Sequence, residues 1–449
     1  MLRNQIDSGR GAVKQRLKRS SRLRSLAEPF YYRYQGYQAT KSHQHPDKTF
    51  GRSSTAPDHI LCIVIDALRP DHIPDLPLEF TSAISPATWT FPSVTSLQTG
   101  LYPHEHGSVA HTMNEEKRHL AVPEQTETTP ILPQYLEAAG YETYAGCAFM
   151  MPFLALQGWY QSHRVYGDAS AEQVLSDYKK WRTGRRETFS YLHLGDLHIP
   201  VQPPTRYIDE RDINMDIEDI QGFGGYDGTG EREEDFQEFR TQRLRLSQAA
   251  LDYVSDQIRE ILSTFPNTTV VLTGDHGEAF WEHCEIDLDF AGSQPNYGVG
   301  HGGTPFDMVA RVPLGTNTSR LLPHGGWPSL RDIPHTILAD VLSSYPKDIP
   351  GRNWSEKIPQ NRAVLCEGVR YGAERKAVYS DRQKLIRSAE NDTTLTATID
   401  PDLPGDTFVP INPEEIRELE KSIPDSWDSK KGTNASEMVK DQLEALGYT

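Results

Sequence analysis

Residues 59–71 read His-Ile-Leu-Cys-Ile-Val-Ile-Asp-Ala-Leu-Arg-Pro-Asp. An unbroken apolar run, Ile60 to Ile65, leads straight into the acidic residue Asp66 and a Pro-containing turn. Such a run suits a strand buried on both faces, as in a parallel sheet. It is far short of the roughly 20 residues that span a bilayer. The same grammar recurs downstream. Tyr141 to Ala145, Phe189 to Leu194 and the β-branched Thr268 to Thr273 read as further strands, the last ending at Gly274. Between them lie helix candidates. One runs from Ile131 to Ala139 and stops at Gly140, and another covers Ala171 to Trp181, with Ser170 and Gln173 spaced as a capping box. A third covers most of Phe236 to Phe265, ahead of Pro266. The alternation predicts an α/β fold with a mostly parallel sheet and helices on both faces. Ala377 to Ser380 and Lys384 to Arg387 predict a late hairpin.

Composition narrows the function. The chain of 449 residues carries 63 acidic against 46 basic side chains, a formal net charge of −17. That balance argues against a nucleic-acid binder, which needs a basic footprint. Cys62, Cys147, Cys284 and Cys366 are far apart and form no Cys/His cluster, which excludes a zinc finger and predicts free thiols. With no apolar leader segment, the expected compartment is cytoplasmic. Residues 1–50 stand apart, with 11 Lys or Arg against 3 Asp or Glu. Residues 1–57 are expected to form a basic, solvated and partly ordered arm. A short cationic helix around Val13 and Leu17 would allow peripheral contact with an anionic membrane.

Polar residues capable of chemistry cluster where strands end. In open α/β sheets ligands collect at the carboxyl ends of strands. Asp66 follows the first strand, Asp196 and His198 follow Phe189 to Leu194, and Asp275-His276 follows Thr268 to Thr273. Mixed Asp and His donors suit a zinc- or manganese-type cation better than calcium. Thr90-Phe91-Pro92-Ser93-Val94 precedes a short helix candidate, Thr95 to Gly100, which puts Thr90 near a helix N-terminus. Amide N–H groups and the helix dipole favour an anion there.

These segments carry a family resemblance. Asp66-Ala67-Leu68-Arg69-Pro70-Asp71 resembles the first metal motif of sulfatases and their alkaline-phosphatase-superfamily relatives. Thr90-Phe91-Pro92-Ser93, continuing through Thr99-Gly100-Leu101-Tyr102-Pro103-His104-Glu105-His106-Gly107, resembles the sulfatase signature. Thr273-Gly274-Asp275-His276-Gly277-Glu278 resembles the second metal motif, and Gly300-His301-Gly302 and Arg311-Val312-Pro313-Leu314 resemble later elements. The order holds across residues 58 to 315.

The resemblance implies an alkaline-phosphatase-like α/β/α sandwich, with a catalytic domain over 58–355 and a small C-terminal subdomain with a hairpin and helices over 356–449. It implies one or two divalent ions (Zn, Mn, Ca or Mg). Metal ligands would come from Asp66, Thr90, Asp275, His276, His301 and Asp196, and catalytic contacts from Thr90, His198 and His301. His104, His106 and His283 are expected to be structural.

The departures bear on mechanism. The family has Cys or Ser where this chain has Thr90, Arg where it has Val94, and usually Asp where it has Ala67. Its Lys-x-His after the Gly140-Tyr141 position is missing, as is the Lys that commonly follows the second metal motif. Threonine cannot become formylglycine, so release of sulfate by hemiacetal collapse is closed to it. A directly attacking Thr90 is expected instead, and relatives with Thr there act on phosphate esters. The expected function is a hydrolase or transferase of a phosphate ester. The alternatives are a sulfuric ester hydrolase and an inactive fold serving as a scaffold.

Overall fold

A computed structural model describes residues 21–424 except 109, 115–116, 123–130, 223–232, 292–297, 347, 369, 371–373 and 390–392, together with 433–434. Helix α1 covers Ser21–Ser42, strand β1 His59–Ile65, β2 Glu79–Ile84 and α2 Thr90–Thr99. Then come α3 (Leu132–Ala138), β3 (Glu142–Cys147), β4 (Ser162–Val165), α4 (Ala171–Arg182) and β5 (Thr188–Leu194). They are followed by α5 (Glu233–Thr264), β6 (Thr269–Gly274), β7 (Arg311–Thr316) and α6 (Ile333–Val341). The sheet order is β2-β7-β6-β1-β5-β3-β4. β1 pairs in parallel with β5 and β6, and β3 with β5 and β4, while β7 runs antiparallel to both β6 and β2. The sheet is therefore mostly parallel, with one reversed strand.

The alternation of side chains along β1 explains the two helical layers. Ile60, Cys62 and Val64 enter one core with Phe91, Val94 and Leu97 of α2, Leu136 of α3 and Ile337 of α6. Leu61, Ile63 and Ile65 enter the other, with Val174 and Tyr178 of α4 and Leu246, Val254 and Ile258 of α5. Successive strand residues point to opposite faces, so an unbroken apolar strand needs cover on both. The result is the expected α/β/α sandwich. The predicted strands and helices fall within a few residues of their expected ends. Helix α2 is the exception, starting five residues before the expected Thr95. Pro92 is tolerated in its first turn because the amide it lacks would have no intrahelical partner.

A second sheet is wholly antiparallel, in the order β8 (Val364–Gly368), β9 (Arg375–Ser380), β10 (Gln383–Ser388), β11 (Thr394–Ile399) and β12 (Asp406–Phe408). The expected hairpin is β9–β10, and helix α7 (Pro413–Glu420) follows. The small sheet abuts the large one near Thr90. Glu367 N–H donates to the Pro86 carbonyl, and Thr88 N–H to the Glu367 carbonyl.

Part of the expected solvated arm is a docked helix. Tyr32, Gln35, Gly36 and Ala39 of α1 are buried at helical spacing, and α1 lies against β4. Its other side exposes Phe30, Tyr34 and Tyr37. The cationic segment around Val13 and Leu17 lies outside the described residues. Among the described residues no helix is long and apolar enough to cross a membrane. All four cysteines are unpaired.

Buried His163 on β4 gives this edge of the sheet a pH dependence. Its Nε2 sits 3.1 Å from the Leu156 carbonyl, and burial lowers its pKa to about 4. An unfolded histidine titrates near 6.5. The folded value is depressed, so this contribution is complete above about pH 6.5 and is lost as pH falls toward 4. By pH 5 the loss is about 2 kcal/mol. Urea unfolding midpoints measured between pH 7 and 5 should therefore move less in His163→Gln than in the wild type. Equal movement in both would refute this assignment.

Candidate active site

Three neighbouring strands at the middle of the sheet deliver the central groups. Val64 lies opposite both His193 and Thr273, and Ile65 opposite Leu194 and Gly274, so the ends of β5, β1 and β6 are level. Asp66 and Asp275 are the next residues along β1 and β6. Both carboxylates are fully buried, as are His193 and His276. Thr90 opens α2, and its hydroxyl reaches into the same place. Thr90 Oγ1 donates to Asp66 Oδ2 at 3.1 Å and lies 3.3 Å from His276 Nε2. The sequence-predicted residues Asp66, Thr90, Asp275 and His276 thus converge.

The backbone is shaped to hold them. Ala67, directly after Asp66, adopts a left-handed φ of 57°, and its N–H donates to Asp275 Oδ1 at 3.3 Å. That conformation costs a non-glycine residue on the order of 1 kcal/mol, and it ties the two aspartates together. Ser85 and Ser93 hydroxyls donate to the Asp275 carbonyl at 2.5 and 2.6 Å. Gly277 is required by close approach, because a Cβ there would collide with the Met308 carbonyl.

His193 was not anticipated. Its Nε2 is 3.0 Å from Asp66 Oδ2, and its Nδ1 is 2.8 Å from the Tyr191 hydroxyl. A carboxylate only accepts, so Nε2 carries the proton and Nδ1 accepts from Tyr191. Burial pushes the Asp66 carboxyl up, but the His193 hydrogen bond and the field of His198, His276 and His193 outweigh it and hold the group below its ordinary value. Asp275 is raised, by burial and then by repulsion from Asp66. Burial lowers His276, but the attraction of Asp275 and Asp66 raises it overall.

Two oxygens in this cluster, Asp66 Oδ1 and Asp275 Oδ2, are buried with no hydrogen-bond partner. Leaving charged oxygens dry and unpaired costs several kcal/mol unless a cation meets them. His276 Nε2 lies 3.8 Å from the first and 3.5 Å from the second. Its Nδ1 donates to the Gly277 carbonyl at 2.8 Å, so in the neutral ring, the form a bound cation selects, Nε2 presents a lone pair. Ligand atoms of Asp66, His193 and Asp275 also lie within 4.8 Å of one another, and with His193 Nε2 donating to Asp66 the lone pairs left for an ion are those of the two aspartates and His276. These residues fit a divalent cation.

A second group, His276, Glu278 and His301, sits alongside. His301 Nδ1 donates to Glu278 Oε2 at 2.6 Å, and its ring centroid is 4.3 Å from that of His276. Its Nε2 lies 3.3 Å from Arg370 Nη1. Burial lowers His301 to about 4, Glu278 offsetting this only in part. Arg370 follows β8, and its guanidinium lies over the Trp89 ring, 5.3 Å from the centroid. Trp89 directly precedes Thr90. His198 stands nearby, 5.5 Å from the His301 ring centroid, with Nδ1 2.7 Å from the Ile199 carbonyl.

Asp196, expected as a second-metal ligand, stands apart from both ligand groups, and its Oδ1 accepts the Ala171 N–H at 3.1 Å, at the start of α4. It takes the place of the capping box expected from Ser170, whose side chain makes no cap bond. Burial raises the Asp196 carboxyl to about 6. His104 pairs with Glu367, His106 with Ser96, and His283 lies 3.8 Å from Asp406.

A buried hydroxyl at a helix start thus stands beside acidic and imidazole groups at the carboxyl edge of a mostly parallel sheet. The family model for sulfatases matches residues 67–318, and the chain belongs to the sulfatase family. No curated protein sequence matches it. Among solved structures it is similar to the phosphonate monoester hydrolase of Silicibacter pomeroyi, with a TM-score of 0.57, 14% identity, and 87% of this chain and 95% of that one covered. It is also similar to a protein solved in complex with its substrate D-glucosamine-2-N,6-O-disulfate, with a TM-score of 0.55, 13% identity, and 88% and 99% covered. A third is a 2-O GAG sulfatase, with a TM-score of 0.54, 14% identity, and 87% and 93% covered. Identities this low speak for the fold alone.

Proposed function

We propose that this chain is a metal-dependent phosphate-ester hydrolase or transferase in which Thr90 is the nucleophile. The observation that carries the reading is the place of the Thr90 hydroxyl, buried between Asp66 Oδ2 and His276 Nε2. Asp66, Asp275 and His276, with Thr90 beside them, would hold one divalent cation. Bound there, it would acidify a hydroxyl and draw charge from the ester oxygens. One ion is favoured over two, because Asp196 serves α4 and both His301 nitrogens already face Glu278 and Arg370.

The chain's own residues then account for the reaction. Asp66 Oδ2, which already accepts the Thr90 hydroxyl, is the acceptor that can take its proton, because the His276 Nε2 lone pair would face the cation. Thr90 Oγ attacks phosphorus, an O–P bond forms, and the bond from phosphorus to the leaving alcohol breaks. His198, when protonated, can give the leaving oxygen a proton from Nε2, since the Ile199 carbonyl holds Nδ1–H. Water, or an acceptor alcohol, then cleaves the phosphothreonine. His193 positions Asp66, and Glu278 positions His301.

Arg370 supplies positive charge where the family's arginine and lysines are absent. Planar guanidinium groups suit phosphate oxygens. Arg370→Ala is expected to lower kcat/KM about 10- to 100-fold for a phosphate ester and to weaken inhibition by inorganic phosphate. Steady-state kinetics with phosphate titration would check this, and unchanged phosphate inhibition would remove Arg370 from the site.

The sulfuric ester reading draws on the family itself. A hydrolysis panel decides between them: an aryl phosphate monoester, a diester and a sulfate ester, each with added Mn²⁺ or Zn²⁺. Turnover of the sulfate ester alone would overturn the phosphate reading. No turnover together with no bound metal would favour a scaffold.

A further inference from the structure

Away from this site, the end of α1 carries a group the reaction does not use. His43 and His45 follow α1, and both meet the carboxylate of Glu137 on α3. His43 Nε2 is 2.7 Å from Glu137 Oε2, and His45 Nδ1 contacts Glu137 Oε1. The His43 and Glu137 side chains are only 2% and 7% exposed, whereas His45 is 75% exposed. The two imidazole rings meet edge to face at 5.1 Å.

The hydrogen bonding of His43 leaves a conflict. Its Nδ1 is 3.0 Å from the Gly158 carbonyl. A carbonyl only accepts, so Nδ1 must carry the proton. In a neutral ring Nε2 is then a bare lone pair, and it faces a carboxylate oxygen that is also a lone pair. Something positive must lie between them, either a second proton or a metal ion. The Gly158 bond is also the outer contact that usually orients a metal-bound imidazole. One ligand atom from each of His43, His45 and Glu137 falls within 4.8 Å of the others. Two imidazoles and one carboxylate are donors for a zinc-type ion and poor ones for calcium or magnesium. The exposed His45 side leaves room for water as the fourth ligand, as at zinc sites with three protein ligands.

We propose that His43 Nε2, His45 Nδ1 and the Glu137 carboxylate form a second, structural zinc site that fastens the end of α1 to α3. The clamp completes the docking of α1 along the edge strand β4, where Tyr32, Gln35 and Ala39 are buried. It is independent of the ester chemistry, since none of its ligands belongs to the active site.

The test is a zinc titration of the chelator-stripped full chain by calorimetry, with bound zinc counted by elemental analysis. It is run in an Asp66→Asn/Asp275→Asn background, which silences the active-site cluster. One equivalent of zinc is expected there, and none when His45→Ala or Glu137→Gln is added. His45 is exposed, so His45→Ala removes a ligand without opening the core. In the otherwise wild-type chain, zinc should slow amide exchange over residues 28–45, and His45→Ala should abolish that effect while leaving ester turnover unchanged. Equal zinc binding with and without His45→Ala would overturn the site. So would an absence of zinc binding in the double-Asn background, which would assign the contact to an imidazolium–carboxylate pair.

Discussion

Thr90→Ala should lose at least about a thousand-fold in kcat on a phosphate ester, while binding the same metal with little change in fold stability. The size of the effect follows from the role. The bond from the nucleophile to phosphorus is formed and cleaved in every turnover, so its loss is not shared among neighbours. Thr90 is buried in α2, and alanine fits there without strain because it is a better helix former. Thr90→Ser is the informative partner. It restores an Oγ beside Asp66 Oδ2 and His276 Nε2, and should recover activity to within roughly tenfold. Parallel kinetics and metal analysis of the three proteins check this. Full activity in Thr90→Ala would transfer the nucleophile's role to water.

Removing the metal should unsettle the centre of the sheet. Asp66 Oδ1 and Asp275 Oδ2 are buried without hydrogen-bond partners, and Asp275 is raised by burial and by Asp66. Two facing carboxylates repel each other until a cation lies between them. A ligand that binds only the folded chain stabilises it by about 4 kcal/mol at a thousand times its Kd. Chelation should therefore lower the thermal midpoint of the wild type by several degrees. Asp275→Asn removes a charge from the pair. Stripped of metal, it should melt at or above the stripped wild type, respond little to added metal, and have no turnover. Thermal melts with and without chelator decide this. A wild-type midpoint insensitive to both chelator and added metal would show that the cluster holds no ion.

Much of the site was legible because strand chemistry is local. Asp66 and Asp275 each follow an apolar run, and the sheet rule places the ends of such runs at the ligand edge. Asp196 sits in the same kind of position but stands apart from the cluster. Its side chain turns to the Ala171 N–H, a long-range bond that no spacing reveals. His193 escaped because it lies inside β5 rather than past its end. The signal was there in principle, since a buried strand gives an imidazole no solvent and demands a partner. Arg370 follows a strand of the second sheet, which meets the Thr90 segment through backbone bonds from Glu367 to Pro86 and Thr88. Sequence order does not show that meeting. Helix α1 was hidden by its charge, because its buried stripe of Tyr32, Gln35, Gly36 and Ala39 is barely apolar.

The most direct measurement is a rapid quench of wild-type protein with an aryl phosphate, followed by mass spectrometry of the peptide that contains Thr90. A single phosphoryl group on Thr90, formed as fast as turnover and absent from Thr90→Ala, is the predicted result. Phosphate turnover with Thr90 unmodified at every quench time, or with the label on another residue, would contradict it.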